Sequence, residues 1–396
     1  MRKKSRLFFM LQGILLCIGQ SHAQFVQYSN EFLNIGAGAK GLGMGSSQAA
    51  GVDDATAGYW NPAGLANITQ YPSVAAMHAD YFAGIGKYDF LAAAFPINGG
   101  NKTLGITALR FGVDDIPNTL FLVQPDGSIN YNNIQSFSSA DYAFLLSYAQ
   151  VIKNDDDNML SWGANSKIIY RKVGSFATAW GFGFDAALMY KTPTWRFGAV
   201  LKDITTTFNA WSFTFTDAEK QVLYLTNNDI PVKSTEITSP SLTLAAGYDV
   251  AFSDKFHLLA ETNLNITADG KRNTVVSSDF LSIDPKVGLE ANINNAVFIR
   301  AGASNFQRAL ADGDTLNQKK VWIFQPSIGA GFRLGNVSID YAFTNLANQT
   351  SPLYTHVFSL KLDLVPRNRD AASPRKVYIP TLPKAEKPKP SKIYLP

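Results

Sequence analysis

Hydrophobic and polar positions alternate with a period of two over most of this chain. In "YTHVFSLKLDL", Tyr354, His356, Phe358, Leu360, Leu362 and Leu364 share one face, and Thr355, Ser359, Lys361 and Asp363 lie mostly on the other. "VSIDYAF" sets Val337, Ile339, Tyr341 and Phe343 against Ser338, Asp340 and Ala342. "FHLLAETNLNIT" sets Phe256, Leu258, Ala260, Leu264 and Ile266 against His257, Glu261, Asn263 and Asn265. "WRFGAVLK" sets Trp195, Phe197, Ala199 and Leu201 against Arg196, Gly198 and Lys202. Successive side chains of a strand point to opposite faces, so this pattern predicts half-buried strands.

Fourteen such segments begin near Pro72, Ile85, Thr103, Asp141, Leu160, Ala179, Trp195, Ser241, Phe256, Pro285, Ala296, Gln325, Asn336 and Tyr354. After even-numbered segments the connections are tight ("INGGNK", "KNDDDN", "KTPT", "FSDK", "NINN"). After odd-numbered ones many are long: Asp114 to Ala140, Thr205 to Pro240, Ala268 to Asp284 and Asn305 to Phe324. An even number of segments of roughly 10 residues, with short turns at one end and long loops at the other, is the organisation of a membrane barrel. A soluble sandwich has strands of about 5 or 6 residues and no reason to sort its loops. The expected fold is therefore all-β, a 14-stranded antiparallel transmembrane β-barrel over residues 72–365. With the short turns facing the periplasm, both chain ends lie there too.

The flanks differ from this core. Residues 1–23 have a basic start (Arg2, Lys3, Lys4, Arg6), an apolar middle and a small-x-small ending at Ser21-His22-Ala23. That pattern predicts a secretory signal peptide, its apolar run being too short to span a bilayer. Residues 24–71 are too rich in Gly and Ala to build a large core and too apolar for a floating tail. A plug folded back into the barrel fits both properties, since small residues permit close backbone approach. Residues 366–396 hold seven of the 18 prolines, eight basic residues and two acids. They predict an extended basic tail whose repeated "KVYIP" and "KIYLP", around Tyr378 and Tyr394, are candidate docking motifs for a periplasmic partner.

Composition supports an exported barrel. Aromatics make up 12% and charged residues only 17% of the chain. The leader carries four of the 35 basic residues and none of the 31 acidic ones, so the remainder is near neutral and no nucleic-acid partner is implied. The single cysteine, Cys17, belongs to the leader, leaving no disulfide framework, thiol nucleophile or thiolate metal site.

Few motifs carry chemistry. Gly36, Gly38 and Gly41 spell G-x-G-x-x-G, but "LGMG" follows where a helix should begin, and the acids Asp53 and Asp54 come too early for a dinucleotide fingerprint. His78, His257 and His356 show no metal-ligand spacing, and no G-x-S-x-G elbow occurs. No catalytic residue, metal or cofactor is expected. Lys167, Arg171, Arg196, Lys202, Glu261, Asp340, Lys361 and Asp363 fall on inward-facing positions, where they either pair with one another or form a polar path for a solute. Phe208, Trp211, Phe213 and Phe215, in "TTTFNAWSFTFTD", crowd a loop outside the membrane band. They either belong to an extended hairpin above the membrane or cap the barrel mouth, and an exposed cluster of this kind marks recognition of an apolar ligand or a protein.

At "GAGAKGLGMGSSQAAGVDDATAGYWNPAGLA" the chain resembles the N-terminal region of the PorV/PorQ family of Bacteroidota outer-membrane proteins, themselves related to the FadL fatty-acid transporters. The resemblance implies a fourteen-stranded barrel in the outer membrane of a Gram-negative cell, with a hatch. Onto this sequence it carries Asn61, Pro62, Ala63 and Gly64 as hatch elements. It further implies a role in type IX secretion, with secreted cargo proteins or secretion-machinery subunits as partners. The FadL relationship implies an alternative, a channel for hydrophobic small molecules. The basic Pro-rich tail departs from the PorV pattern.

Overall fold

The computed structural model describes residues 29–124, 126–155, 157–231, 233–310, 320–344 and 355–366. The expected leader and the tail motifs around Tyr378 and Tyr394 lie outside the described residues. The chain forms one antiparallel sheet. Its first seven strands are β1 (Ser73–Tyr81), β2 (Gly86–Ile97), β3 (Lys102–Asn118), β4 (Gln135–Asn154), β5 (Met159–Val173), β6 (Ala177–Lys191) and β7 (Trp195–Lys202). There follow β8 (Thr207–Phe213), β9 (Lys233–Thr238), β10 (Ser241–Ser253), β11 (Phe256–Thr267) and the short β12 (Val276–Ser277). β13 (Ser282–Ile293), β14 (Val297–Leu310), β15 (Lys320–Leu334), β16 (Val337–Thr344) and β17 (Thr355–Asp363) complete it.

Pairing of β1 with β17, from Ser73 opposite Asp363 to Asp80 opposite His356, closes the sheet on itself. Closure leaves no open edge, which hydrocarbon does not tolerate. The circuit has 14 positions. β7 and β8 both pair with β6, at its two ends, and act as one interrupted strand; β9 and β10 pair with them in the same way. β12 is a small fold-back on β13.

Alternation sorts the side chains as the sequence predicts. In β6 the inward series is Ala177, Ala179, Gly181, Gly183, Asp185, Ala187 and Met189, all buried, and the outward series includes the exposed Trp180, Phe182, Phe184, Leu188 and Tyr190. Small inward residues leave room in the bore; large outward ones supply a lipid-facing surface. Aromatics gather at both ends of the apolar band. Tyr142, Tyr170 and Trp180 follow one another across adjacent strands at the long-loop end, and Trp195 meets Tyr248 at 4.6 Å beside the short turns. These are the girdles of a membrane barrel.

Two expectations need correction. First, several strands outrun the predicted segments. β4 begins at Gln135 rather than near Asp141, and β3, β14 and β15 extend well into the expected loops. β4 has 20 residues. A tilted strand needs only about 9–11 to cross hydrocarbon. Beyond the lipid the two faces lose their contrast, with outward Ser136 and Ser138 polar on β4 and Val321 to Phe324 apolar on both faces of β15, so alternation fades although the hydrogen-bond ladder continues. Second, Thr205 to Pro240 takes the extended-hairpin alternative and is more than a connection: it contains β8, helix α3 (Asp217–Leu225) and β9. The segment between β7 and β8 reverses the phase, Leu201 and Phe208 both facing outward, and that reversal hid the strand. The remaining connections at the long-loop end include two tight ones, Phe82–Ile85 and Gly174–Phe176.

Candidate functional site

The chain from Ser29 to Pro72 does not join the sheet. It runs through the bore as short turns: helix α1 (Ala39–Gly43), helix α2 (Ala57–Trp60) and a 3-10 segment over Pro62–Asn67. Its contacts reach inward-facing groups around the whole circuit. The Ala39 amide donates to Ser359 Oγ, the Gly45 amide to Ser327 Oγ at 3.0 Å, and the Ala50 amide to Glu261 Oε1 at 2.8 Å. Asn165 Nδ2 donates to the Gly58 carbonyl, and Thr103 Oγ1 to that of Ile68. Backbone groups that sheet or helix would normally satisfy are here satisfied by the wall.

Glycine makes this closeness possible. A β-carbon on Gly302 of β14 would overlap the Gly45 amide, and one on Gly163 of β5 would overlap Pro62. Backbone therefore lies against backbone on two sides of the bore. The G-x-G-x-x-G glycines instead allow close packing within the inner segment, Gly36 and Gly41 both facing Trp60. A short helix, α1, starts beside Gly38 and ends at Gly43 within "LGMG"; its first amides are taken by Met77 S and Ser359, leaving no phosphate cradle.

Asn61, Pro62, Ala63 and Gly64 are all buried in this inner segment. Asn61 Nδ2 donates to the Ala49 carbonyl at 2.7 Å and to that of Leu188 on β6 at 3.4 Å, while its Oδ1 caps the 3-10 turn by accepting from the Ala63 amide. Ser161 Oγ on β5 donates to the Ala63 carbonyl. One amide side chain thus ties two parts of the segment to the wall. Nearby, Tyr59 accepts from the Gly36 amide and donates to the Leu33 carbonyl, and Trp60 Nε1 donates to the Ala37 carbonyl.

Most of the inward charges are paired. Lys167 meets Asp185 at 2.8 Å and Asp203 at 2.5 Å; Arg171 meets Asp141 at 2.8 Å and Glu236 at 3.1 Å; Arg196 meets Asp249 at 2.5 Å. Asp340 accepts from Arg300, which also holds Glu290. Glu261 has no cationic partner among the described residues and accepts from the inner segment instead. Sequence reasoning missed Arg300, Glu290, Asp185 and Asp203. The first three sit on the inward phase of their strands and were legible there; Asp203 sits in the interruption after β7, where phase is lost.

The four aromatics do not form one exposed cluster. Phe208 faces outward and Trp211 sits on the opposite face, donating from Nε1 to Glu236 at 3.1 Å beneath the Arg171 guanidinium. Phe213 lies near Trp211, and Phe215 stacks on Phe176. They build the wall of the β8–β9 extension. Helix α3 at its tip exposes Tyr224 and Leu225.

Two spaces remain within the barrel, one at each end of the inner segment. At the long-loop end a cavity of about 570 Å³ is lined by groups such as Asn34, Lys202, Thr243, Asn265, Asp284 and Lys286. At the short-turn end a cavity of about 310 Å³ is lined by Lys40, Asp53, Lys191, Arg196, Asp249 and Lys361, among others. At the rim of the larger space, partial burial alone would raise the Asp269 carboxyl. The Arg272 guanidinium outweighs that effect and holds it below the usual carboxylate range. No group of residues able to hold a metal occurs among the described residues.

The closed 14-stranded antiparallel barrel matches the FadL-like outer-membrane barrels in fold. Among solved structures, the chain is similar to CymD, a monoaromatic hydrocarbon channel, at 13% identity and a TM-score of 0.50, covering 84% of this chain and 99% of that one. The toluene transporter TbuX of Ralstonia pickettii gives 12% identity, coverage of 83% and 98%, and a TM-score of 0.49. A Pseudomonas aeruginosa FadL homologue gives 13%, 83% and 98%, and 0.46. No protein-family model matches the chain, and no curated protein matches its sequence. The resemblance to PorV/PorQ proteins gains no support from these comparisons.

Proposed function

We propose that this protein resides in the outer membrane of a Gram-negative cell and acts as a plugged channel for small molecules, with residues 29–72 as its hatch. The observation that carries this reading is the pair of unfilled spaces at opposite ends of the bore, separated by that one segment. A solute entering one space needs only a local rearrangement of the hatch to reach the other. The apolar belt and girdles support the membrane setting, and the architecture shared with a hydrocarbon channel supports transport.

The test is flux into liposomes carrying the purified protein. Small solutes are expected to enter faster than into protein-free liposomes. Equal rates for every solute tried, from folded protein, would end the channel reading.

A secretion role of PorV/PorQ type in a Bacteroidota cell is the second reading. It rests on the Gly36–Ala66 resemblance and on the projecting β8–α3–β9 hairpin, whose exposed Tyr224 and Leu225 suit a protein surface better than a solute. Secreted cargo retained through purification in mild detergent is its expected mark. For the tail, the proposed periplasmic docking through Tyr378 and Tyr394 predicts that deleting Arg375–Pro396 removes at least one captured partner.

A further inference from the structure

The larger space differs in chemistry from what a hydrocarbon requires. More than half of its lining residues carry a hydroxyl or an amide, and its few apolar groups include Tyr81 and Phe82 at one side. Its volume of about 570 Å³ lies within the range of small-molecule sites. Most of its charges are neutralised internally: Arg272 holds Asp269 and Glu31, and Asp203 is held by Lys167. What remains are polar groups with hydrogen-bonding capacity to spare. Lys202 and Lys286 make no ion pair among the described residues, Lys202 lying over the Tyr59 ring at 5.4 Å, and the buried Asp284 Oδ1 and Thr267 Oγ1 have no hydrogen-bond partner. Buried polar groups left unsatisfied are costly, so a bound molecule that satisfies them is favoured over one that cannot.

Resting on the channel reading above, we propose that this space is a binding site for a polyhydroxylated solute, a mono- to trisaccharide. Such a molecule offers hydroxyls that accept from the Lys202 and Lys286 ammonium groups and donate to Asp284 Oδ1 and Thr267 Oγ1. Its ring faces suit the Tyr81 and Phe82 side. An apolar solute would give these groups no hydrogen bond and would displace water from them. Sites that hydrogen-bond a hydroxyl discriminate strongly against analogues lacking it.

The experiment uses the full chain in nanodiscs, with sucrose and raffinose as probes and toluene and decanoate as controls. Binding is read by saturation-transfer NMR and passage by liposome flux. Saccharide signals are expected, and Asp284→Ala with Lys286→Ala should weaken them about tenfold, the loss of one or two hydrogen bonds. Thr243→Phe narrows the same space from β10 and provides an independent block should the double variant fail to fold. Toluene or decanoate crossing while both saccharides stay silent would overturn the saccharide site but leave the channel standing. Saccharide binding unchanged by either variant would place binding elsewhere and overturn the site. Failure of every solute to bind or cross removes this proposal together with the channel reading.

Discussion

At the scale of residues, the bore is held by buried charges and by missing β-carbons. Arg300 is almost wholly buried between Glu290 and Asp340. Removing one member of such a group leaves uncompensated charge, so Arg300→Met is expected to destabilise the barrel by about 3–5 kcal/mol. Replacing all three with apolar residues of similar volume should cost far less, because no ion is then stranded. Unfolding in detergent with increasing denaturant compares the two; equal losses would mean that packing, not charge, is what matters there. Gly302→Val tests the hatch contact, since its added carbons need the space of the Gly45 amide. Valine suits a strand, so the barrel should still form, but with its inner segment displaced. Higher ion conductance in planar bilayers is the expected sign, and wild-type conductance would show that the segment seats independently of β14.

At the scale of elements, the sharpest departure is the interrupted wall at β7–β8 and β9–β10. Asp203 and Thr206 adopt left-handed backbone there, at φ 56° and 58°, and the turn carries Asp203 to Lys167. Beyond it, α3 begins with a capping box in which Thr216 and Glu219 satisfy each other's backbone amides. Thr216→Ala should weaken α3 by about 1 kcal/mol, seen as faster hydrogen exchange over Asp217–Leu225 with the β-strands unchanged. Exchange that speeds throughout β6 as well would show that the hairpin supports the barrel rather than riding on it.

At the scale of the whole molecule, polarity is inverted relative to a soluble protein: large apolar side chains face out, while hydroxyls, amides and ion pairs line the bore. Purified without detergent or lipid, the protein is expected to aggregate; in detergent it should resist unfolding and migrate differently before and after boiling. A monodisperse folded species in plain buffer would contradict the membrane barrel itself. The paired inward charges also decide between the two meanings open at the sequence level, an internally neutralised lining or an ionic path. Lys167, Arg171, Arg196 and Asp340 all have partners, so in the proposed channel selectivity would fall to the groups of the end spaces that make no ion pair.

The sequence by itself determined the class of fold. Alternation of period two, a strand number of fourteen and sorted connections were enough, because each is a local consequence of one face meeting lipid and the other meeting the bore. It also marked Lys167, Arg171, Arg196, Glu261 and Asp340 as inward, since phase within a strand is local too. Tertiary structure alone decided what those residues meet. Asp203 reaches Lys167 from a break in the wall, Arg300 gathers acids from two other strands, and Glu261 receives an amide from a segment more than two hundred residues earlier in the chain. Closure of the cylinder sets these meetings, and with them the two spaces left at its ends, because which side chains share the bore depends on register and on the path of the inner segment, neither of which has a local signature.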